Sequence, residues 1–164
     1  MTAPIRIGVT GSGFMGRTHV EAAKRASNAE IVAVAVGSRS GTLASDYGID
    51  CETDAAALIN RNDIDAVVIT TPHHVHVEEA VLAAQAGKHA LIEKPLATSI
   101  EDCDRMIDSF SERGRTLAVG YHQRFRESNQ TVQKLIADGA IGTVRCRQMA
   151  ALFDIEALRS DEGF

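Results

Sequence analysis

An α/β fold is what the sequence predicts: a doubly wound parallel sheet, followed by the start of a second, α+β domain. Short Ile-, Val- and Ala-rich runs alternate with helix-like segments, a glycine-rich loop joins the first run to the first helix, and the rhythm changes after Gly120. Runs that are apolar at successive positions are covered on both faces, as strands of a helix-covered parallel sheet are.

The elements follow in order. Ile5 to Thr10 is the first strand-like run, and it leads into a helix before Ser27 on which Met15, Ala22, Ala23 and Ala26 mark one face. Ile31 to Val36 and Ala66 to Thr70 are further strands. Val75 to Ala86 reads as a helix stopped by Gly87, and Ala90 to Ile92 as the strand after it. The clearest helix runs from Ser99 to Arg113, where Ile100, Cys103, Ile107 and Phe110 recur at helical spacing behind a Thr98-x-x-Glu101 capping box; Gly114 ends it. Thr116 to Val119 closes the series. Strand and helix in repeated alternation imply right-handed βαβ units and hence a Rossmann-type sheet.

Beyond Gly120 the pattern differs. Gln130 to Asp138 reads as a helix stopped by Gly139, and Thr143 to Leu152 alternates, with Val144, Cys146 and Ala150 on one face and Arg145 and Arg147 on the other. Such alternation suits a sheet wetted on one side. The boundary falls near Gly120: residues 1–120 form one domain, and residues 121–164 are the incomplete beginning of another, with too little apolar material for a core of its own.

Composition narrows the class of partner. The 164 residues are 45% hydrophobic and 24% charged, which is ordinary globular content. Lys and Arg number 17 against 22 Asp and Glu, a net charge of -5, which argues against nucleic acid or an anionic membrane as partner. Cys51, Cys103 and Cys146 stand far apart and outside metal-ligand spacing, and read as free thiols in a reducing compartment. With neither a basic leader nor an apolar run of membrane length, the expectation is a cytoplasmic protein.

The chemistry begins at Gly11-Ser12-Gly13-Phe14-Met15-Gly16. Alone, this G-x-G-x-x-G pattern is weak, but here it leaves a strand and opens a helix. In that context Gly11 makes the tight turn, Gly13 lets the backbone approach a pyrophosphate, and Gly16 lets helix and strand pack closely. The helix N-terminus then meets the phosphates with free N–H groups and its positive dipole end.

Where the second strand ends, an NAD site usually carries an acid for the ribose hydroxyls, whereas this chain reads Gly37-Ser38-Arg39-Ser40. A 2′-phosphate would gain a hydroxyl from Ser38 and a charge-assisted contact from Arg39, so NADP is favoured over NAD. Arg39 stacking on adenine, or merely bordering a solvated turn, is the plainer alternative.

Two further segments follow strands. In Thr71-Pro72-His73-His74-Val75-His76, the residues Thr71, Pro72, His73 and His76 read as polar contacts to the cofactor and a helix start; no nearby acid or cysteine completes a metal site. His19 and His89 read as packing or surface residues. In Glu93-Lys94-Pro95, strand geometry sends Glu93 and Lys94 over the carboxyl edge to the side of the glycine loop, and Pro95 allows a cis peptide after Lys94. Lys94 there suits bonding to, or proton exchange with, a substrate hydroxyl or carbonyl. A surface Lys-Pro turn is the bland alternative.

Together these landmarks resemble the glucose-fructose oxidoreductase, inositol dehydrogenase and rhizopine catabolism family, Gfo/Idh/MocA: the Gly11 to Gly16 loop, Thr71-Pro72 with His76, Ala86-Gly87-Lys88-His89 running into Glu93-Lys94-Pro95, and Val119-Gly120-Tyr121 leading to Arg124-Phe125. The resemblance implies an NAD(P)-binding first domain and a substrate-binding second one. It also implies hydride transfer between nicotinamide and a hydroxyl carbon of a sugar, cyclitol or related diol, with Lys94 bonding the reacting oxygen. It further implies an acid/base segment in the second domain that this sequence does not contain, and a full-length form that is a homo-oligomer. The chain by itself is then expected to bind cofactor with little turnover. Tyr121, His122 and Arg124, at the domain junction, are the candidates for substrate contact. A cofactor-binding sensor without catalysis, and a methyltransferase using S-adenosylmethionine, remain the competing classes; the second has no use for Ser38 and Arg39.

Overall fold

The computed structural model describes residues 3–146. Its strands are β1 (Ile5–Thr10), β2 (Ala29–Ala35), β3 (Asp50–Cys51), β4 (Ala66–Ile69), β5 (His89–Ile92) and β6 (Leu117–Val119), and its helices are α1 (Phe14–Ala23), α2 (Ser40–Tyr47), α3 (Ala55–Ile59), α4 (His76–Gln85), α5 (Ile100–Ser111) and α6 (Glu127–Ala137). The six strands form one sheet in the order β3-β2-β1-β4-β5-β6. All pairings are parallel. The predicted α/β, doubly wound Rossmann sheet is therefore what the chain forms, and its strand order reverses between β1 and β4, where such sheets bind ligands beyond the strand ends.

Successive strand residues bury on opposite faces. Ala33, Ala35, Val67, Ile69 and Ile92 join Leu58 and Ile59 of α3, Ala80, Ala83 and Ala84 of α4, and Met106 and Phe110 of α5 in one cluster. Val9, Val34 and Val68 join Val20 of α1 and Leu43 and Ala44 of α2 in the other. Both faces are thus dry, which is why these strands read as near-continuous apolar runs rather than alternating ones.

Several local expectations are corrected. The buried residues of α1 are Gly16 and Val20, not the face through Met15, Ala22, Ala23 and Ala26, and Ala26 lies beyond the helix. Glycine and a single valine suffice there because the helix approaches the sheet closely. On α5 the cap is Ser99, whose hydroxyl accepts from Asp102 N at 3.1 Å, one residue later than the proposed box. Met106 and Phe110 are the buried side chains of that helix, while Ile100 and Ile107 are exposed. The short strand β3 was not anticipated.

The chain divides into two compact units, Met1–Gly120 and Tyr121–Phe164. In the second, His122–Phe125 forms a 3-10 turn ahead of α6, which runs Glu127–Ala137 and so begins three residues before the helix expected over Gln130 to Asp138. Thr143 to Cys146 carries no strand, and the remainder of the alternating segment lies outside the described residues. Among the described residues no helix is long and apolar enough to cross a membrane.

Candidate functional site

The carboxyl ends of five strands converge on one edge, and backbone bonds carry the sheet past them. Gly11 N bonds Ala35 O at 2.8 Å, Thr70 N bonds Thr10 O at 2.8 Å, Glu93 N bonds Ile69 O at 2.9 Å and Gly120 N bonds Ile92 O at 2.8 Å. The glycine loop and the turns after β2, β4 and β5 therefore each leave this edge from a fixed position.

The glycine loop has the steric character its sequence implies. Gly11 takes φ +98°, and a Cβ on it would lie 2.5 Å from Thr70 Oγ1 and 2.8 Å from the Thr70 carbonyl carbon. A Cβ on Gly16 would overlap the Gly11 carbonyl oxygen. Gly13 differs: nothing stands within 4 Å of where its Cβ would be. Thr70 Oγ1 donates to Thr10 O at 2.8 Å and to Gly11 O at 3.2 Å, pinning the loop to β4. Gly13 is the cap of α1 but has no side chain to bond the helix's first amides, and no acid occupies the first turn. Those N–H groups, unopposed by a carboxylate and facing an open glycine, fit a pyrophosphate. Phe14 and Met15 open the helix there, Phe14 largely exposed.

At the end of β2 the chain turns through two left-handed residues, Val36 at φ 66° and Gly37 at φ 99°. For a β-branched residue this is strained backbone; Val36 offsets it in part by packing against the larger core cluster. A Cβ on Gly37 would strike Ser12 Oγ, and that hydroxyl accepts from Arg39 N at 3.3 Å. Ser12 thus ties the glycine loop to the turn that carries Ser38 and Arg39, both exposed.

Beyond β4, Thr71 is buried, Pro72 and His73 are exposed, and His73–Val75 forms a 3-10 turn into α4. His76 is fully buried. Its Nε2 lies 2.8 Å from Thr71 O and its Nδ1 lies 3.2 Å from Pro95 O, so its ring joins the two turns beneath the edge instead of reaching out of it. The His73 and His76 rings meet edge to face at 5.5 Å. Among the described residues no cluster of three His, Cys, Asp or Glu side chains is disposed to hold a metal. Glu79 of α4 is buried under the same loops and accepts from Thr10 Oγ1 at 2.6 Å and Thr71 Oγ1 at 3.0 Å. Burial holds its carboxyl above the ordinary glutamate range, against the opposing pull of the two hydroxyls.

After β5, Glu93 is buried and Lys94 is exposed, with a cis Lys94–Pro95 peptide between Lys94 and the turn. Glu93 Oε1 lies 3.0 Å from His19 Nε2, and Oε2 accepts from Lys94 N at 3.2 Å. A Cβ on Gly120 would stand 3.0 Å from Oε1, so a side chain there would press on that carboxylate. His19, expected to be a packing or surface residue, bonds the Glu93 carboxylate. It follows Gly16 by three positions and so shares a helical side with it, the one signal in the sequence that points to it. His89 Nδ1 accepts from Thr116 N at 3.0 Å, a structural role. In the second unit, Tyr121, His122 and Arg124 are exposed, with the Arg124 guanidinium 5.7 Å from the Tyr121 ring centre.

Comparison with known proteins converges on one group. The profile described as "Oxidoreductase family, NAD-binding Rossmann fold", GFO_IDH_MocA, matches residues 5–121. A 2,7-anhydro-N-acetylneuraminate hydratase of Mediterraneibacter gnavus is 35% identical over 136 residues, covering 83% of this chain and 36% of that protein. An inositol 2-dehydrogenase of Saccharopolyspora erythraea is 36% identical over 143 residues, covering 85% and 42%. Biliverdin reductase from Synechocystis, solved with biliverdin and NADP+, superposes with a TM-score of 0.74 at 26% identity over 82% of this chain and 43% of that one. The chain thus spans about two fifths of the length of these relatives. Glycine loop, strand order and profile agree, and the chain belongs to the Gfo/Idh/MocA family of oxidoreductases with an NAD-binding Rossmann fold.

Proposed function

We propose that this chain is the cofactor-holding part of a dehydrogenase or reductase that moves a hydride between nicotinamide, preferably of NADP, and a hydroxyl carbon of a sugar, cyclitol or related diol. The observation that carries the reading is the uncapped N-terminus of α1 beside an open Gly13, with Lys94 on the same sheet edge. In this reading residues 1–120 bind the dinucleotide and residues 121–164 begin the part that binds substrate, with Tyr121, His122 and Arg124 as its contributors here.

The bound cofactor would supply the hydride acceptor or donor. The chain's own residues do the rest. The amides of Phe14, Met15 and Gly16 hold the pyrophosphate, and Gly11, Ser12 and Gly13 let it approach. Ser38 and Arg39 receive the adenosine 2′-phosphate, a preference supported by the lack of an acid on the β2 turn. On the far side of the strand-order reversal, Glu93 accepts from a hydroxyl on the nicotinamide side, while Thr71, Pro72 and His73 border the same end. His76 acts from below by joining the Thr71 and Pro95 turns. Lys94 bonds the reacting oxygen of the substrate and moves a proton to or from it. The diol substrate is supported by the inositol dehydrogenase likeness.

The cofactor preference is tested by titrating the chain with NADPH and NADH, before and after Arg39→Asp. Loss of a charge-assisted pair is expected to cut the NADPH-to-NADH preference by about tenfold or more. An unchanged ratio would remove Arg39 from the 2′-phosphate site.

A further inference from the structure

We propose that His19 is a positioning residue for the nicotinamide half of the site: it holds Glu93, and through Glu93 the backbone at Lys94, in the register that the cofactor meets. This rests on the dinucleotide reading above.

The Glu93 carboxylate is the meeting point of three elements at the sheet edge. From α1 comes the His19 ring, with Nε2 at 3.0 Å from Oε1. From its own turn comes the Lys94 amide, donating to Oε2 at 3.2 Å. From the end of β6 comes Gly120, whose missing side chain makes the space. The Glu93 side chain is 8% exposed and that of His19 is 21% exposed, so water supplies little of the carboxylate's solvation and the imidazole takes a share of it. An ionised carboxylate only accepts, so the ring nitrogen facing it donates. Without His19, Glu93 would keep one short-range donor, an amide on the adjacent residue, and its side chain would be free to rotate away from the edge or toward solvent.

The placement matters because α1 starts at the glycine loop and β5 ends at Lys94. His19 therefore links the helix whose amides are aimed at phosphate to the turn that bears the ammonium group. Such a link fixes the distance between the two halves of a dinucleotide site. It does nothing for the adenosine side, which is bordered by Ser12 of the glycine loop and by Ser38 and Arg39 of the turn after β2.

The test is calorimetric titration of the 164-residue chain and its His19→Ala and His19→Gln variants with NADPH and with 2′,5′-ADP, which carries the adenosine half alone. The expected result is that His19→Ala weakens NADPH by about tenfold, the scale of one hydrogen bond to a charged group. Its binding of 2′,5′-ADP stays as in the parent, and His19→Gln, which keeps a donor, recovers most of the loss. If His19→Ala binds NADPH like the parent, or weakens both ligands equally, the positioning role is overturned while the cofactor reading stands. If the parent binds neither NADPH nor NADH, the cofactor reading itself fails and this inference goes with it.

Discussion

At the residue scale, the three loop glycines do different jobs, and the differences are measurable. Gly16 has no room for a methyl group because the Gly11 carbonyl occupies it, so Gly16→Ala must part α1 from the loop; a loss of about 1–3 kcal/mol in denaturant unfolding is expected, the usual cost of overpacking. Gly13 faces open space, so Gly13→Ala should leave the unfolding midpoint close to that of the parent and instead weaken nucleotide binding. Equal stability losses at the two positions would contradict the open space at Gly13, and nucleotide binding unchanged by Gly13→Ala would show that its open side is not a ligand approach. These glycines were legible in the sequence because the motif lies within six consecutive residues. His19 and Glu93 were not paired in advance, since 74 positions separate them and only the close packing of α1 on the sheet brings them together. Glu79 was passed over for a related reason: its partners, Thr10 and Thr71, lie on two different strand ends.

Among the elements, the long apolar runs of β1, β2, β4 and β5 announced themselves because helices cover both faces of the sheet. The two-residue β3 did not, since Asp50 and Cys51 are exposed and carry no apolar pattern. On α5 the periodic apolar residues included Ile100 and Ile107, but the helix is rotated so that Met106 and Phe110 face the core. The cap was expected at Thr98, and the geometry places it one residue on at Ser99, with its extended backbone and its bond to Asp102 N. Ser99→Ala is therefore expected to cost about 1 kcal/mol in unfolding free energy, and Thr98→Ala close to nothing. The reverse order of losses would return the cap to Thr98.

For the whole molecule, the doubly wound order turns scattered segments into one edge: the ends of β1, β2, β4, β5 and β6 lie side by side although they are spread over the first 120 residues. That is why most of the candidate site could be read from residues following predicted strands. The contribution of the 121–164 segment could not be read in this way, because its alternating stretch is not a strand over Thr143 to Cys146. The central claim is that a nicotinamide dinucleotide crosses this edge from the β2 turn, over the glycine loop, to Lys94. It is tested most directly by following the backbone amide resonances of the chain as NADPH is added. The account predicts saturable shifts at Gly11 to Gly16, at Ser38 and Arg39, and at Glu93 and Lys94 together. Saturating NADPH that left the glycine-loop amides unmoved, or that moved them without Glu93 and Lys94, would contradict it.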